Sequence, residues 1–304
     1  MSQSTSNILM VRPAAFGYNE QTAESNTFQN NTSLEQAHTK ALEEFDAFVQ
    51  LLEAHGINVT VMKDTEQPVK PDAVFPNNWV TFHETGDVIL YPMQAENRRF
   101  ERREDIVRKL EDRFKVNHII DLSRFELQNK FLEGTGSMVL DRENKLAYAC
   151  LSPRTDVEVL QSFCEYAGYT PVTFTAVDAQ QQAIYHTNVM MCIGTGYAII
   201  GLDSIANKAE KEQVEQSLKN TNKEIIALGN EQLKHFAGNM LEVQNDQGNK
   251  YLVMSKSAYD SLQPGQVATI EKYAKPLFAD IATIETIGGG SARCMLAEVH
   301  LPAL

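Results

Sequence analysis

The chain has 304 residues, 43% of them hydrophobic and 22% charged, an ordinary globular composition with ample apolar material for a core. A formal net charge of −13 argues against a nucleic-acid or anionic-membrane binder, whose affinity needs clustered Lys and Arg, and weakly favours a cationic small molecule. Cys150, Cys164, Cys192 and Cys294 show neither zinc-ligand nor disulfide spacing; with no apolar run approaching ~20 residues and no basic, apolar leader pattern at the N-terminus, the cytoplasm is the expected compartment.

The segment "ILMVRP" reads as a first strand. In residues 33–55, Leu34, Ala41, Phe45, Phe48, Val49 and Leu52 recur at helical spacing, with Ser33 as N-cap and Gly56 as the stop. The strand "INVTVM" follows, and then "WVTFHETGDVILYPM", two β-rich runs around Glu84-Thr85-Gly86 that signal a hairpin. A charged helical stretch "RRFERREDIVRKLEDRF" leads to the strand "VNHIIDL". The same order of hairpin, helix and strand recurs as "SMVLDRENKLAYACL", "DVEVLQSFCEYAG", "TPVTFTAV", then as "NVMMCIGTGYAIIGL", "ANKAEKEQVEQSLKN", "EIIAL". A fourth unit reads "NMLEVQNDQGNKYLVMS", "QPGQVATIEKYAKPLF", "IATIETI". The unpartnered end strands, "CMLAEVHL" and "ILMVRP", complete a fifth with the helix at 33–55. Self-similarity of this kind predicts one α/β repeat domain over residues 1–304, its five hairpin-helix-strand repeats closed by pairing of the two termini, which removes open sheet edges. No G-x-G-x-x-G or G-x-x-x-x-G-K-[ST] is present, so the phosphate-binding chemistry of a nucleotide-binding sheet is missing.

One polar residue stands at the entrance of each hairpin: Asn78, Glu133, His186, Asn239 and Cys294, separated by 55, 53, 53 and 55 residues. In a closed ring, residues in the same repeat phase point toward a common axis. Taken singly, each has an ordinary structural reading: Cys294 as a small buried hydrophobe behind the turn Gly288-Gly289-Gly290, His186 as a satisfied core histidine, Glu133 as a turn carboxylate, the asparagines as turn or bulge residues. Brought together they are the parts of nucleophilic catalysis, a thiolate to attack, an imidazole to move a proton and a carboxylate to orient the imidazole or hold a cation.

The stretches "PDAVFPNNW", "NRRFERRED", "LEGTGSMVLDRENKLAYACLSPR", "HTNVMM" and "GGGSARCM" resemble the guanidine-modifying superfamily with the pentein (α/β propeller) fold, and above all the bacterial amidinotransferase-like proteins named for citrulline utilisation. The resemblance runs essentially the full length of the chain. It implies attack of Cys294 on the central carbon of a guanidinium or ureido group, a covalent adduct, release of ammonia or an amine, and hydrolysis without metal or organic cofactor. His186 would protonate the leaving nitrogen and then activate water, and Glu133 would pair with the guanidinium. Deiminases of the superfamily carry aspartates where this chain has Asn78 and Asn188. Asparagine both donates and accepts, so Asn78 suits a neutral ureido intermediate as well as a cation. Asn26 and Arg98 or Arg99, together with Asn188 and Asn239, complete the expected substrate-binding set, an arginine fork matching a carboxylate. The expectation is a cysteine-dependent hydrolase of arginine or citrulline giving an ornithine-type product, the alternatives being an amidinotransferase or a simple arginine deiminase. Its partner is a small guanidino or ureido molecule, and homo-oligomerisation is left open.

Overall fold

A computed structural model describes residues 2–23, 26, 28–30 and 36–304. Its strands form five three-stranded sheets of one pattern: an antiparallel hairpin whose second strand pairs in parallel with a third after a helical crossover. The sheets are β3(Val80–Phe82)-β4(Asp87–Leu90)-β5(His118–Asp121), β6(Val139–Asp141)-β7(Leu146–Cys150)-β8(Thr170–Phe174), β9(Met191–Ile193)-β10(Tyr197–Ile200)-β11(Glu224–Ala227) and β12(Leu241–Gln244)-β13(Lys250–Ser255)-β14(Lys275–Ala279). In the fifth, β15 (Ala297–Glu298) pairs antiparallel with β1 (Asn7–Arg12) in the register Ile8↔Glu298, and β1 pairs in parallel with β2 (Asn58–Lys63). Chain start and chain end therefore share one sheet. First strands of different sheets lie against one another, β6 on β9, β9 on β12 and β15 on β3.

The crossover helices are α1 (Ala37–Ala54), α2 (Glu104–Glu111), α3 (Val157–Ala167), α4 (Lys208–Asn220) and the pair α5 (Lys256–Ser261) and α6 (Pro264–Ile270). Helix α3 shows how sequence sets these elements. The Asp156 carboxylate accepts the N–H groups of Glu158 and Val159, Gly168 ends the helix in the left-handed region, and Val159, Leu160, Phe163 and Cys164 form the buried stripe. That stripe packs on Ala147 and Ala149 of β7, each large side chain contributing about 1.5–3 kcal/mol by leaving water. Helix α1 buries Ala41, Phe45, Phe48 and Leu52 as the periodicity predicts. Ser33 and Leu34 lie outside the described residues.

Three local expectations change. "IATIETI" is not a strand: residues Ile284–Gly288 form a π-helical turn. The third strand of that unit is instead Lys275–Ala279, whose buried Leu277 and Ala279 alternate with polar or exposed positions; Pro276 sits in this outer strand, where a missing N–H is tolerated. Residues 188–190, expected to open a strand, instead lie in a short helical turn, Thr187–Met190, that ends as β9 begins. The charged stretch after β4 splits into a 3₁₀ segment, Glu96–Glu101, and α2. All four cysteines are free and buried, and among the described residues no helix is long and apolar enough to cross a membrane.

Candidate active site

The five in-phase residues each precede the first strand of their sheet. Asn78 ends a 3₁₀ turn before β3, Glu133 and His186 cap the short helices Gly134–Ser137 and Thr187–Met190, Asn239 stands just before β12, and Cys294 lies in the 3₁₀ turn Ala292–Met295. All five are buried. A small cavity of about 10 Å³, space for roughly one water, is walled by Asn78, His186 and Cys294 with Asp72, Arg98 and Arg154. Asn26, Phe75, Tyr185 and the strip Gly288–Gly290 complete its lining. A larger cavity of about 610 Å³ lies beyond Tyr185, walled by side chains such as Phe28, Leu233 and Phe236. Its lining includes neither Cys294 nor His186, so the smaller cavity is where the chemistry converges.

Glycines let these groups meet. A Cβ on Gly136 would lie 2.5 Å from Asn78 Nδ2 and 2.8 Å from His186 Cε1. Gly289 holds φ at +63°, and a Cβ there would lie 2.5 Å from the Asn26 amide nitrogen. The glycines before Cys294 thus allow Asn26 to donate to the Gly289 carbonyl at 3.1 Å.

Glu133 is the hub of the charge system. Its Oε2 accepts from His186 Nε2 at 2.8 Å and from Arg154 Nη1 at 3.5 Å, with Arg98 Nη1 at 3.9 Å; Oε1 accepts from the Gln94 N–H at 3.0 Å. Burial alone would raise its carboxyl, but Arg154, His186 and Arg98 outweigh that and hold it far below the usual range. Burial pushes His186 down to about 4, with Glu133 pulling the other way. The imidazole is therefore neutral near pH 7. Because an ionised carboxylate only accepts, Nε2 carries the proton and Nδ1 keeps the free lone pair of a base.

Arg98 and Arg99, adjacent in the chain, are turned apart by the 3₁₀ segment. Arg98 is buried, bonded to both oxygens of Glu101 at 2.9 Å and to Asn78 Oδ1 at 2.9 Å, and 3.7 Å from Asp72. Arg99 donates to the carbonyls of Met93 and Gln94 and pairs with Glu126 at 3.4 Å, away from the cavity. Asn188 and Asn239 do not line the cavity; their amides reach Cys294 Sγ from behind, at 3.5 and 3.3 Å. Asp72, Arg154 and Tyr185 were not singled out from the sequence. Asp72 accepts from Asn19 at 2.7 Å on one oxygen, burial raises its carboxyl against the pull of Arg98, and the other oxygen is buried without a hydrogen-bond partner. Arg154 also donates to the Thr22 carbonyl at 3.1 Å and lies 4.9 Å over the Tyr185 ring. The signal for both lay in charged residues inside otherwise apolar or turn-forming stretches, "KPDAVF" and "LSPRTD".

The family model described as N,N dimethylarginine dimethylhydrolase, eukaryotic, matches residues 12–301. No curated protein matches. Among solved structures, apo ArgZ, an arginine dihydrolase from the ornithine-ammonia cycle in cyanobacteria, superposes with TM-score 0.77 at 18% identity over 98% of this chain and 41% of its own. This chain thus spans about two fifths of that protein. The ArgZ N-terminal domain bound to substrate gives 0.76 at 18% identity over 98% and 99% of the two chains. A dimethylarginine dimethylaminohydrolase adduct with S-methyl-L-thiocitrulline gives 0.65 at 16% identity, covering 96% and 98%. These likenesses show an α/β fold shared with pentein proteins.

Proposed function

The chain belongs to the N,N-dimethylarginine dimethylhydrolase family, and from that premise we propose that it is a cysteine-dependent hydrolase acting on the guanidino or ureido carbon of arginine or citrulline, with an ornithine-type product. One observation carries the reading: Cys294 and His186 wall one buried cavity with Asp72, Arg98 and Arg154, and Glu133 is bonded to His186 behind it. Asp72 and Glu133 suit a guanidinium and the two arginines a carboxylate, a charge pattern matched to a zwitterionic amino acid carrying a guanidine.

Neutral His186 takes the thiol proton at Nδ1 as Cys294 Sγ bonds to the substrate carbon. The imidazolium, stabilised by Glu133, gives that proton to the leaving nitrogen, and the C–N bond breaks. A water then loses a proton to His186 and adds to the carbon, and collapse expels the sulfur, which recovers the proton. Asn78, whose amide both donates and accepts, supports a second round on the ureido product. The same reading takes residues 1–304 as one catalytic domain, a pentein propeller of five blades closed by the β15–β1 pairing. The family match favours one second reading, a single hydrolysis of an N-methylated arginine that stops at citrulline.

Purified protein incubated separately with arginine, citrulline and N,N-dimethylarginine tests both. Ornithine and ammonia without urea, abolished in Cys294→Ala, is the expected result. Citrulline and dimethylamine from the methylated substrate alone would select the second reading, and turnover surviving in Cys294→Ala would overturn both.

A further inference from the structure

We propose that Asn188 and Asn239 act on the nucleophile: their side-chain amides form a two-donor cradle that holds the sulfur of Cys294 as a thiolate, as its proton leaves and as the sulfur departs from the covalent intermediate. The proposal rests on Cys294 being the nucleophile and departs from the substrate-binding role expected for both asparagines.

The orientation of Asn239 is dictated by backbone on two sides. Its Oδ1 accepts the N–H of Arg293 at 3.0 Å, and its Nδ2 donates to the Asn188 carbonyl at 3.0 Å. Flipping the amide would set oxygen against a carbonyl and nitrogen against an N–H. The second Nδ2 hydrogen is then left for the sulfur, 3.3 Å away. Asn188 adds its Nδ2 at 3.5 Å, while its Oδ1 is buried with no hydrogen-bond partner. A neutral thiol accepts weakly and a thiolate strongly, so two N–H groups aimed at sulfur favour the charged form.

Charged neighbours are engaged elsewhere. Arg293, on the same turn as Cys294, directs its guanidinium to Glu298 at 2.7 Å and to the Leu296 carbonyl. His186 Nε2 faces Glu133, and Arg98 is held by Glu101. In the cavity wall Arg98 and Arg154 are set against Asp72, with Tyr185 neutral beside them, and Glu133 pairs with both arginines from behind the wall. In the neutral thiol the Cys294 sulfur also donates to Asn239 Oδ1 at 3.7 Å; that contact ends when the proton leaves, whereas the two Nδ2 donors stay.

The test is the rate of iodoacetamide alkylation of Cys294 from pH 5 to 10 in the full chain, located by peptide mass, with Cys294→Ser as blank. Asn188→Ala deletes a donor whose oxygen has no partner to strand, Asn188→Asp replaces the donor by a charge, and Asn239→Asp keeps only the acceptor for Arg293. Each is expected to move the midpoint of the rate–pH curve upward, by about one pH unit or tenfold in rate below the midpoint, Asn188→Asp more than Asn188→Ala. Folded Asn188→Ala and Asn188→Asp proteins, with wild-type melting, that alkylate along the wild-type curve would overturn the proposal even if Asn239→Asp fails to fold. Alkylation needs no substrate, so failure of the hydrolase reading leaves this measurement intact and is recognised separately in the product assay.

Discussion

Replacing Glu133 by Gln removes one charge and little volume, and the geometry says what that costs. If the new Oε1 keeps the Gln94 N–H at 3.0 Å, the new Nε2 points at the His186 Nε2–H now 2.8 Å from the carboxylate, and at Arg154. Donor meets donor. His186 can escape only by switching tautomer, which puts a proton on Nδ1 and removes the base; the reversed amide strands the Gln94 N–H instead. Arg154 and Arg98 lose a buried counter-charge at 3.5 and 3.9 Å. Breaking a buried charge system by one partner costs about 3–5 kcal/mol, a melting temperature lower by roughly 5–10 °C in a chain of this size. Loss of the proton carrier lowers kcat by about 10²–10⁴-fold. Calorimetry and the ammonia-release assay on Glu133→Gln and Glu133→Asp check both numbers. Wild-type turnover in Glu133→Gln, or a melting temperature within 1–2 °C of wild type, would refute the hub role.

Arg98→Lys is expected to raise KM strongly while Arg99→Ala leaves KM within about threefold, ~0.65 kcal/mol or less for a partly solvated ion pair, because the Arg99 side chain is 28% exposed and faces Glu126; equal KM effects would contradict the split. Gly136→Ala forces a Cβ into Asn78 Nδ2 and His186 Cε1 at 2.5 and 2.8 Å, so stability should fall by about 1–3 kcal/mol with a larger loss in kcat than in KM; an unaffected kcat would mean the approach is relaxed in solution. Burial pushes His300 down to about 4, with Arg142 adding and Glu298 opposing, against ~6.5 in the unfolded chain. The folded state then binds fewer protons between those values, so stability falls as pH drops from 6.5 toward 4, by about 3 kcal/mol for this residue. Urea unfolding of wild type and His300→Gln at pH 7 and 5 should show a smaller loss in the variant, and parallel losses would count against it.

The repeat was legible because each unit carries its own short-range signals. Alternating runs around turn residues predicted the hairpins, Asp156 and Gly168 bounded α3, and nearly equal spacing put Asn78, Glu133, His186, Asn239 and Cys294 in one phase before any packing was known. Side-chain direction was not legible. Arg98 and Arg99 differ only by a rotation of a 3₁₀ turn, yet one enters the cavity and the other holds a loop. Asp72 and Arg154 reach the site from irregular segments, where no periodicity marks the inward face, and the spacing that puts Asn188 and Asn239 near the site does not show that their amides lie against Sγ. "IATIETI" is rich in β-branched Ile and Thr like a strand, but β13 has its parallel partner in Lys275–Ala279, and the later run turns helical beneath the glycines. Local pattern determined which elements form and which residues share a phase. Which atoms those residues present to one another depended on contacts between distant parts of the chain, such as the one between Asn26 and Gly289, 263 residues apart, and such contacts exist only once the sheets have come together.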